Sequence, residues 1–267
     1  MPNLAFAQTQ TNNNGSINVL SSGNFGPVTI TKPISIVADG VEAVINTAAG
    51  GAGIIVQAGA NAIVSLRGLT IDMRGTDNDG ISFVSGAALH VHNSVIRRAT
   101  RGISFAPASG VKELTVADSV IADTSSRGIE VNPSGSGGAK VVLDRVRVEN
   151  SGSVGIAFVG NFTTGSITAT VRDSVSAGHV NASIFVLEFG AGGGTTEVMV
   201  DRTASVNNGN GILASGAGAT IRIGDSTVSG NATGLAPAGG GVIESYGTNK
   251  VNGNGNDGAP TSTIGMK

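Results

Sequence analysis

The chain has 267 residues, of which 42 are glycine and only 13% are charged. Hydrophobic residues make up 40% of the chain, which excludes a disordered protein. Tryptophan and cysteine are absent and tyrosine occurs once, so small branched side chains must fill the core, and disulfides and thiol catalysis are excluded. A net charge of −2 leaves no basic stripe for nucleic acid. No apolar run reaches the roughly 20 residues that span a bilayer.

Three segments follow one another along the chain. Residues 1–14 contain Ala5-Phe6-Ala7 before Gln8, the small-x-small pattern that signal peptidases recognise. We therefore predict that 1–14 is a signal-peptide remnant or a disordered leader, and that the protein is secreted, periplasmic or on the cell surface. Residues 15–250 are repetitive, and 251–267 are expected to form a C-terminal tail or cap.

The repeat is a glycine followed by a short apolar strand. Its copies are Gly53-Ile54-Ile55-Val56, Gly80-Ile81-Ser82-Phe83, Gly102-Ile103-Ser104-Phe105, Gly128-Ile129-Glu130-Val131, Gly155-Ile156-Ala157-Phe158, Gly211-Ile212-Leu213-Ala214 and Gly234-Leu235-Ala236. Most spacings are 22 to 27 residues, and the one spacing of 56 spans a degenerate copy at Ser183-Ile184-Phe185-Val186. A fixed period of this length is typical of solenoid proteins.

A second series of residues recurs out of phase with the glycines. It consists of Asn93, Asp118, Asp144, Asp173, Asp201 and Asp225. Asn and Asp tolerate the left-handed backbone of a sharp turn, so we predict that these residues stack as a column of Asx turns. Stacked carboxylates repel, and we expect backbone donors or the following residues to hold them. Those following residues are Ser119, Arg145, Ser174, Arg202 and Ser226.

Apolar residues alternate within each unit, as in Leu89-His90-Val91, which indicates strands rather than helices. A unit with three short strands cannot close its own core, so neighbouring units must stack and pair in parallel. We predict an all-β, right-handed parallel β-helix of about eight to nine rungs with three strands per rung. The predicted inward row is Val56, Phe83, Phe105, Val131, Phe158 and Val186. Open stack ends would permit self-association.

These strands and turns carry a family resemblance. The Gly-Ile-x-Phe strands, the Asx-Ser turns and the ending 245–255 resemble the parallel β-helix repeat proteins of the pectin-lyase-like superfamily. Segment 26–36 and the ending resemble exported bacterial members of uncharacterised activity. The resemblance covers nearly the whole chain from Gly15 onward and is specific for fold rather than for function.

The resemblance implies where a site would lie. Lyases of this superfamily hold Ca²⁺ with clustered acidic side chains and use a basic residue to take a proton, all on the sheet of the Gly-Ile strands. Outward positions of that sheet and the residues before each glycine give the candidates Asp77, Asp79, Arg101, Arg127 and Glu130. One interpretation is a site that grips or cleaves an acidic sugar. The other, which we favour, is a column of salt bridges on a solvated face.

The chain resembles the hydrolases of the superfamily less closely than it resembles the lyases. The hydrolase motifs resemble fragments at Thr76-Asp77, Gly178-His179-Val180 and Arg222-Ile223-Gly224. His179 is expected about four rungs from Asp77, roughly 19 Å away. Arg222 points outward from a different sheet, and the chain has no Asp-Asp pair. Hydrolase activity is therefore not expected.

The sequence offers few candidate metal ligands. His90 and His92 alternate on one strand and share a face, but the neighbouring rungs supply no third ligand. The tail Asn254-Gly255-Asn256-Asp257-Gly258 resembles a calcium-binding glycine-aspartate repeat but occurs once. We predict no metal site.

The sequence leaves two functions open. The first is an exported, non-catalytic β-helix protein that serves in surface attachment, assembly or weak glycan binding, with a polysaccharide or cell-envelope component as partner and no cofactor. The alternative is a polysaccharide lyase or other carbohydrate-active enzyme that acts on acidic glycans, and Ca²⁺ would be its cofactor.

Overall fold

A computed structural model describes residues 3–46, 51–75, 78–190 and 193–266. The chain forms an all-β parallel solenoid of about nine turns, with three strands in each turn. Over the described residues the strands form three parallel sheets of 11, 10 and 10 strands, here called sheets A, B and C. The predicted β-helix with three strands per rung is confirmed.

The elements are numbered in chain order. Helix α1 is Leu4–Gln10. Sheet A contains β1 Gly15–Asn18, β4 Ile34–Val37, β7 Ile63–Arg67, β10 Ala88–His92, β13 Ser109–Ala117, β16 Ser136–Asp144, β19 Ile167–Arg172, β22 Thr196–Asp201, β25 Ala219–Gly224, β28 Val242–Ser245 and β31 Ser262–Thr263. Sheet B contains β2 Gly23–Asn24, β5 Ala43–Ile45, β8 Leu69–Asp72, β11 Val95–Arg97, β14 Val120–Ala122, β17 Arg147–Glu149, β20 Val175–Ala177, β23 Ala204–Val206, β26 Thr227–Ser229 and β29 Lys250–Val251. Sheet C contains β3 Val28–Ile30, β6 Ile54–Gln57, β9 Ile81–Ser85, β12 Arg101–Phe105, β15 Arg127–Val131, β18 Val154–Val159, β21 Ala182–Leu187, β24 Asn210–Ser215, β27 Thr233–Ala238 and β30 Asn256–Gly258.

The core consists of side-chain columns that run along the stack. In sheet C, Ile81 pairs with Ile103 and Ile103 with Ile129, so the predicted column is in register. The inward row that includes Phe83 and Phe105 is fully buried, and these two rings stack with centroids 4.4 Å apart. Because each residue packs on its equivalent in the next coil, one repeated residue type produces one continuous core column.

The repeated glycines are needed where sheet B turns into sheet C. A methyl group on Gly128 would lie 2.6 Å from the carbonyl oxygen of Gly155 and closer still to Cγ1 of Val148. Gly102 has the same environment one coil earlier. A methyl group on Gly102 would lie 2.6 Å from the carbonyl oxygen of Gly128 and would also collide with the side chain of Ile121. Only a residue without Cβ lets the coils approach this closely.

We predict that Gly128→Ala lowers the free energy of unfolding by about 1–3 kcal/mol, because the added methyl group overpacks the corner. Gly59→Ala is the matched control, because no atom lies within 4 Å of its added Cβ. Urea denaturation followed by circular dichroism measures both variants. Equal stability of the two would contradict the steric role of Gly128.

The turn between sheets A and B corrects one sequence prediction. The left-handed residues are Asn93, Asp118, Arg145, Asp173, Arg202 and Asp225, with φ from +44 to +51°. Asp144 and Asp201 instead end strands β16 and β22. Four of the six predicted residues do occupy these left-handed turns. The predicted stacking of carboxylates is wrong, because arginines stand between the aspartates and attract them.

Each arginine of this column pairs with the aspartate of the preceding coil. Arg145 donates to both carboxylate oxygens of Asp118 at 2.6 and 2.9 Å, and Arg202 does the same to Asp173 at 2.8 and 2.9 Å. The serines that were expected to hold carboxylates bind backbone instead. Ser174 Oγ, for example, accepts from Val146 N at 3.0 Å.

The turn between sheets B and C contains a column of polar side chains. Asn208 Oδ1 accepts from His179 N, and Asn231 Oδ1 accepts from Asn208 N, both at 2.9 Å. His179 occupies the same position one coil earlier, where its Nδ1 accepts from Ser151 N at 3.0 Å. Burial lowers the pKa of His179 to about 4, although a backbone hydrogen bond with Val148 opposes the shift.

His179 should make stability depend on pH. Its pKa falls from 6.5 in the unfolded chain to about 4 in the fold, so stability is greatest above pH 6.5 and is lost as the pH falls toward 4. In His179→Asn the amide oxygen replaces Nδ1 as acceptor for Ser151 N, as asparagine does in the following coils. We expect the melting temperature of this variant to fall less than that of the unaltered protein between about pH 7 and about pH 4.5. Identical pH profiles in thermal melts would refute this assignment.

Helix α1 covers the N-terminal end of the stack. Asn3 caps it, with Oδ1 accepting from Ala5 N at 2.8 Å, and Leu4 packs into the core. Gln8 Oε1 accepts from Thr31 N at 3.0 Å. The segment 1–14 thus contains helical structure, while its interpretation as a leader stays a prediction. At the other end, β30 and β31 extend sheets C and A into 251–267.

The described part of the chain has no helix that is long and apolar enough to cross a membrane.

Candidate functional site

The outer face of sheet C carries the predicted site. Its central row follows the register Ile55, Ser82, Ser104, Glu130, Ala157, Phe185, Leu213 and Ala236. Arg101 and Arg127 pair in the adjacent row. Alternation along each strand and pairing between coils therefore bring residues 22 to 29 positions apart into contact.

Four of the five predicted site residues form one ion-pair cluster. Arg101 Nε and Nη2 donate to the two carboxylate oxygens of Asp79, each at 2.8 Å. Arg101 Nη1 donates to Glu130 Oε2 at 3.0 Å, and Arg127 Nη1 donates to Glu130 Oε1. The fifth residue, Asp77, lies outside the described residues.

Burial differs between the two signs of charge. The side chains of Asp79 and Glu130 are 12% and 3% exposed, whereas those of Arg101 and Arg127 are 39% and 30% exposed. The hydrogen bonds to Asp79 raise the pKa of Arg101. Burial, followed by repulsion from Arg101, lowers the pKa of Arg127. The carboxylates lie beneath the guanidinium groups, which form the outer layer.

This arrangement does not fit the Ca²⁺ of the superfamily's lyases. Ca²⁺ requires six to eight oxygen ligands, several of them carboxylate. Both oxygens of Asp79 and both of Glu130 already accept hydrogen bonds from arginine. The described residues also contain no group of three or more His, Cys, Asp or Glu that could hold a metal ion.

A shallow groove of about 480 Å³ runs beside the cluster toward the N-terminal end. Asp79 and Arg101 line one side, and Ile55 and Ser82 of the central row lie between them and Val84. The groove is open to solvent, and most of its lining residues are polar.

The other half of the face is apolar. Ala157, Val154 and Val159 are buried there although they point outward, and they pack with Phe185, Leu187 and Leu213. These three larger side chains remain partly exposed. The face therefore changes from arginine to an apolar strip between β15 and β18.

Two exposed aromatic residues extend this strip onto the loops that connect sheet C to sheet A. Phe162 and Phe189 follow β18 and β21 and are 65% and 56% exposed. Asn161 Oδ1 accepts from Phe189 N at 2.8 Å, which ties the two loops together. Neither ring is among the residues predicted from the sequence, although their separation of 27 residues lies within the repeat spacing and is a signal that could have revealed them.

A buried carboxylate holds the second loop in place. Glu188 is fully buried, and its Oε1 accepts from Gly190 N at 2.8 Å. Its other oxygen has no hydrogen-bond partner among the described residues. This bond ties the backbone on the C-terminal side of Phe189 to the buried carboxylate on its N-terminal side.

The fragments that resemble hydrolase motifs do not meet. His179 is buried in the turn between sheets B and C, whereas Arg222 lies on sheet A and pairs with Glu197 and Glu244. Thr76 and Asp77 lie outside the described residues. His90 and His92 share a face with ring centroids 6.4 Å apart, and their strand neighbours at β7 and β13 are Ser65, Arg67, Thr115 and Ala117.

Comparison with known proteins identifies the fold. The chain is similar to the crystal structure of the pectate lyase Pel9A, with a TM-score of 0.60, 12% identity, and coverage of 96% of this chain and 73% of that one. The fold is that of the parallel β-helix proteins. A second similar structure is tailspike protein 2 of the Escherichia coli O157:H7 bacteriophage CAB120, with a TM-score of 0.43, 9% identity and coverage of 86% and 38%. No protein-family profile and no curated protein matches the sequence.

The ion-pair cluster should contribute to stability. Arg101→Ala leaves Asp79 without its bidentate partner and Glu130 with one partner only. We therefore expect the free energy of unfolding to fall by about 1–3 kcal/mol, a range that allows for the partial exposure of Arg101 to solvent. Arg67→Ala is the matched control, because Arg67 and Asp39 are both about half exposed, and we expect less than about 0.5 kcal/mol there. Chemical denaturation measures both changes. A cost for Arg101→Ala no larger than that of the control would contradict a buried network.

Proposed function

We propose that this protein is an exported, non-catalytic β-helix protein that binds acidic polysaccharide along the outer face of sheet C. The observation that carries the proposal is the layering of the cluster: neutralised carboxylates lie beneath two partly exposed guanidinium groups. Carboxylates that are already bound to arginine are poor general bases and poor metal ligands. Partly exposed guanidinium groups are well suited to bind an anion.

Most N–H groups of the Arg127 side chain donate to no described residue. Among the described residues, its side chain donates only through Nη1, to Glu130. A guanidinium group has five N–H donors, so the other nitrogens are free for a sugar carboxylate. Arg101 fixes the geometry of the site, since three of its donors bind Asp79 and Glu130. Arg127 is accordingly the primary ligand contact in this proposal.

The apolar strip next to Arg127 supplies the second element of sugar recognition. Pyranose rings bind through their C–H faces to apolar and aromatic side chains. Phe185 and Leu213 follow Arg127 along the stack and are partly exposed. An extended uronate chain that lies along the rod would place its carboxylates over the arginines and its ring faces over this strip.

The test is a binding titration with polygalacturonate, and a neutral dextran is the ligand control. We expect binding that weakens with added salt, because ion pairs to Arg127 are screened. Arg127→Ala should weaken it about tenfold and Phe185→Ala about three- to tenfold. Arg67→Ala removes an arginine from sheet A and should leave the affinity unchanged. Equal binding of dextran, or no effect of Arg127→Ala, would refute the proposal.

The competing function is a lyase that acts on the same acidic glycan. One observation favours it: burial and the neighbouring Arg101 lower the pKa of Arg127, as a proton-abstracting base requires. A lyase would release unsaturated product that absorbs in the ultraviolet, and Arg127→Ala would abolish that signal. Binding of polygalacturonate without such product supports the non-catalytic proposal, and steady product formation overturns it.

A further inference from the structure

A second groove lies on a different face of the rod. It has a volume of about 900 Å³ and is bordered by Met199, Arg222 and Glu244 on β22, β25 and β28 of sheet A. The segment after β31, Ile264 to Met266, forms another border. Because the groove lies on sheet A, it is separate from the arginine cluster of sheet C.

The groove exists because one strand end lacks a side chain. In the column that ends the sheet A strands, the residues are His92, Ala117, Asp144, Arg172, Asp201 and Gly224. A Cβ on Gly224 would lie 3.3 Å from Cδ2 of Tyr246 and 3.7 Å from Oδ1 of Asp201. The missing side chain therefore makes room for the Tyr246 ring, which remains partly exposed as a wall of the groove.

The polar groups around this ring are mainly acidic. Asp201, Asp225 and Glu244 line the groove together with one cation, Arg222. Asp201 is already paired with a second cation outside the lining, because Arg202 Nη1 donates to its Oδ2. Arg222 Nε donates to Glu244 Oε2 at 2.8 Å, and its Nη1 donates to Glu197 Oε2 at 2.9 Å, so its charge is already compensated. The Asp225 carboxylate accepts no hydrogen bond from the described residues, although the backbone N–H of Asp225 donates to Thr248 Oγ1 at 2.9 Å.

We propose that this groove is a binding site for amino-sugar oligosaccharides. The ring face of Tyr246 packs against a pyranose ring, and the sugar ammonium binds the Asp225 carboxylate and lies close to the aromatic face. Hydroxyl groups of the sugar donate to Glu244. Because no described arginine donates a hydrogen bond to the Asp225 carboxylate, this group selects a cationic sugar and repels the polyuronate proposed for sheet C, so the two faces bind glycans of opposite charge.

The composition of the chain provides a direct probe. Tyr246 is the only tyrosine and there is no tryptophan, so ultraviolet-excited emission from this protein reports on the wall of this groove. We expect glucosamine oligosaccharides to change the Tyr246 emission in a saturable manner. The N-acetylated oligosaccharide lacks the positive charge, so we expect its affinity to be lower by about tenfold or more. Polygalacturonate should leave the emission unchanged.

Two variants localise the binding without removing the probe. Gly224→Val fills the space against the ring and should abolish the change in emission. Asp225→Asn keeps a residue that accepts the left-handed turn at φ +47° and should weaken binding about five- to tenfold. Asp39→Asn is the matched control, because Asp39 is an exposed carboxylate that pairs with Arg67 after β4 and does not line the groove. Circular dichroism checks that each variant folds.

The outcomes are distinguishable from those for sheet C. Saturable binding of the glucosamine oligosaccharide that Asp225→Asn weakens and Asp39→Asn does not would support the site, whether or not polygalacturonate binds to sheet C. A saturable change in Tyr246 emission with polygalacturonate would contradict the charge selectivity of the groove. No saturable change in emission, equal binding of the N-acetylated form, or an unaltered affinity in Asp225→Asn would overturn it. Arg127→Ala should affect only the polyuronate titration.

Discussion

The structure depends on parallel, in-register pairing between successive coils. Each strand forms its hydrogen bonds with the equivalent strand one coil away, so every side chain packs against its own counterpart. This pairing requires the coils to approach closely where sheet B turns into sheet C, and the glycine column that includes Gly102 and Gly128 permits it. The core columns and the two polar turns all follow from this spacing.

In-register pairing also determines the chemistry of the surface. Like charges in one column repel at each step, so a charged column is stable only where signs alternate or where neighbouring rows compensate. The turn between sheets A and B alternates Asp118, Arg145, Asp173 and Arg202. On sheet C, Arg101 and Arg127 lie side by side, and the carboxylates of Asp79 and Glu130 beneath them offset their repulsion.

The same constraint supports the proposed binding role. Catalytic carboxylates need neighbours that shift their pKa and leave them accessible. Here the carboxylates of sheet C are bound by arginine and shielded from solvent. Long, regular faces present rows of groups along the rod axis, as the proposed binding of an extended polysaccharide requires. The two faces differ in charge because sheet C exposes arginines, whereas the groove on sheet A exposes carboxylates around Tyr246.

Several features followed from the sequence alone because they repeat. The glycine spacing and the inward row from Val56 to Val186 predicted the fold, the register and the central row of sheet C, since equivalent residues of successive repeats lie next to each other. The close approach of Asp79, Arg101, Arg127 and Glu130 also followed, because counting coils is enough to place them.

Other features required the tertiary structure, because they depend on single residues or on loops of unequal length. A shift of one residue decides whether Asp144 or Arg145 occupies the left-handed turn, and the repeat does not resolve such a shift. Helix α1 lies outside the repeat, so no periodicity predicted how it covers the end of the stack. Tyr246 occupies the position of Gly224 one coil later, but the groove beside them is closed by Ile264 to Met266, a segment after the last strand that no repeat predicts.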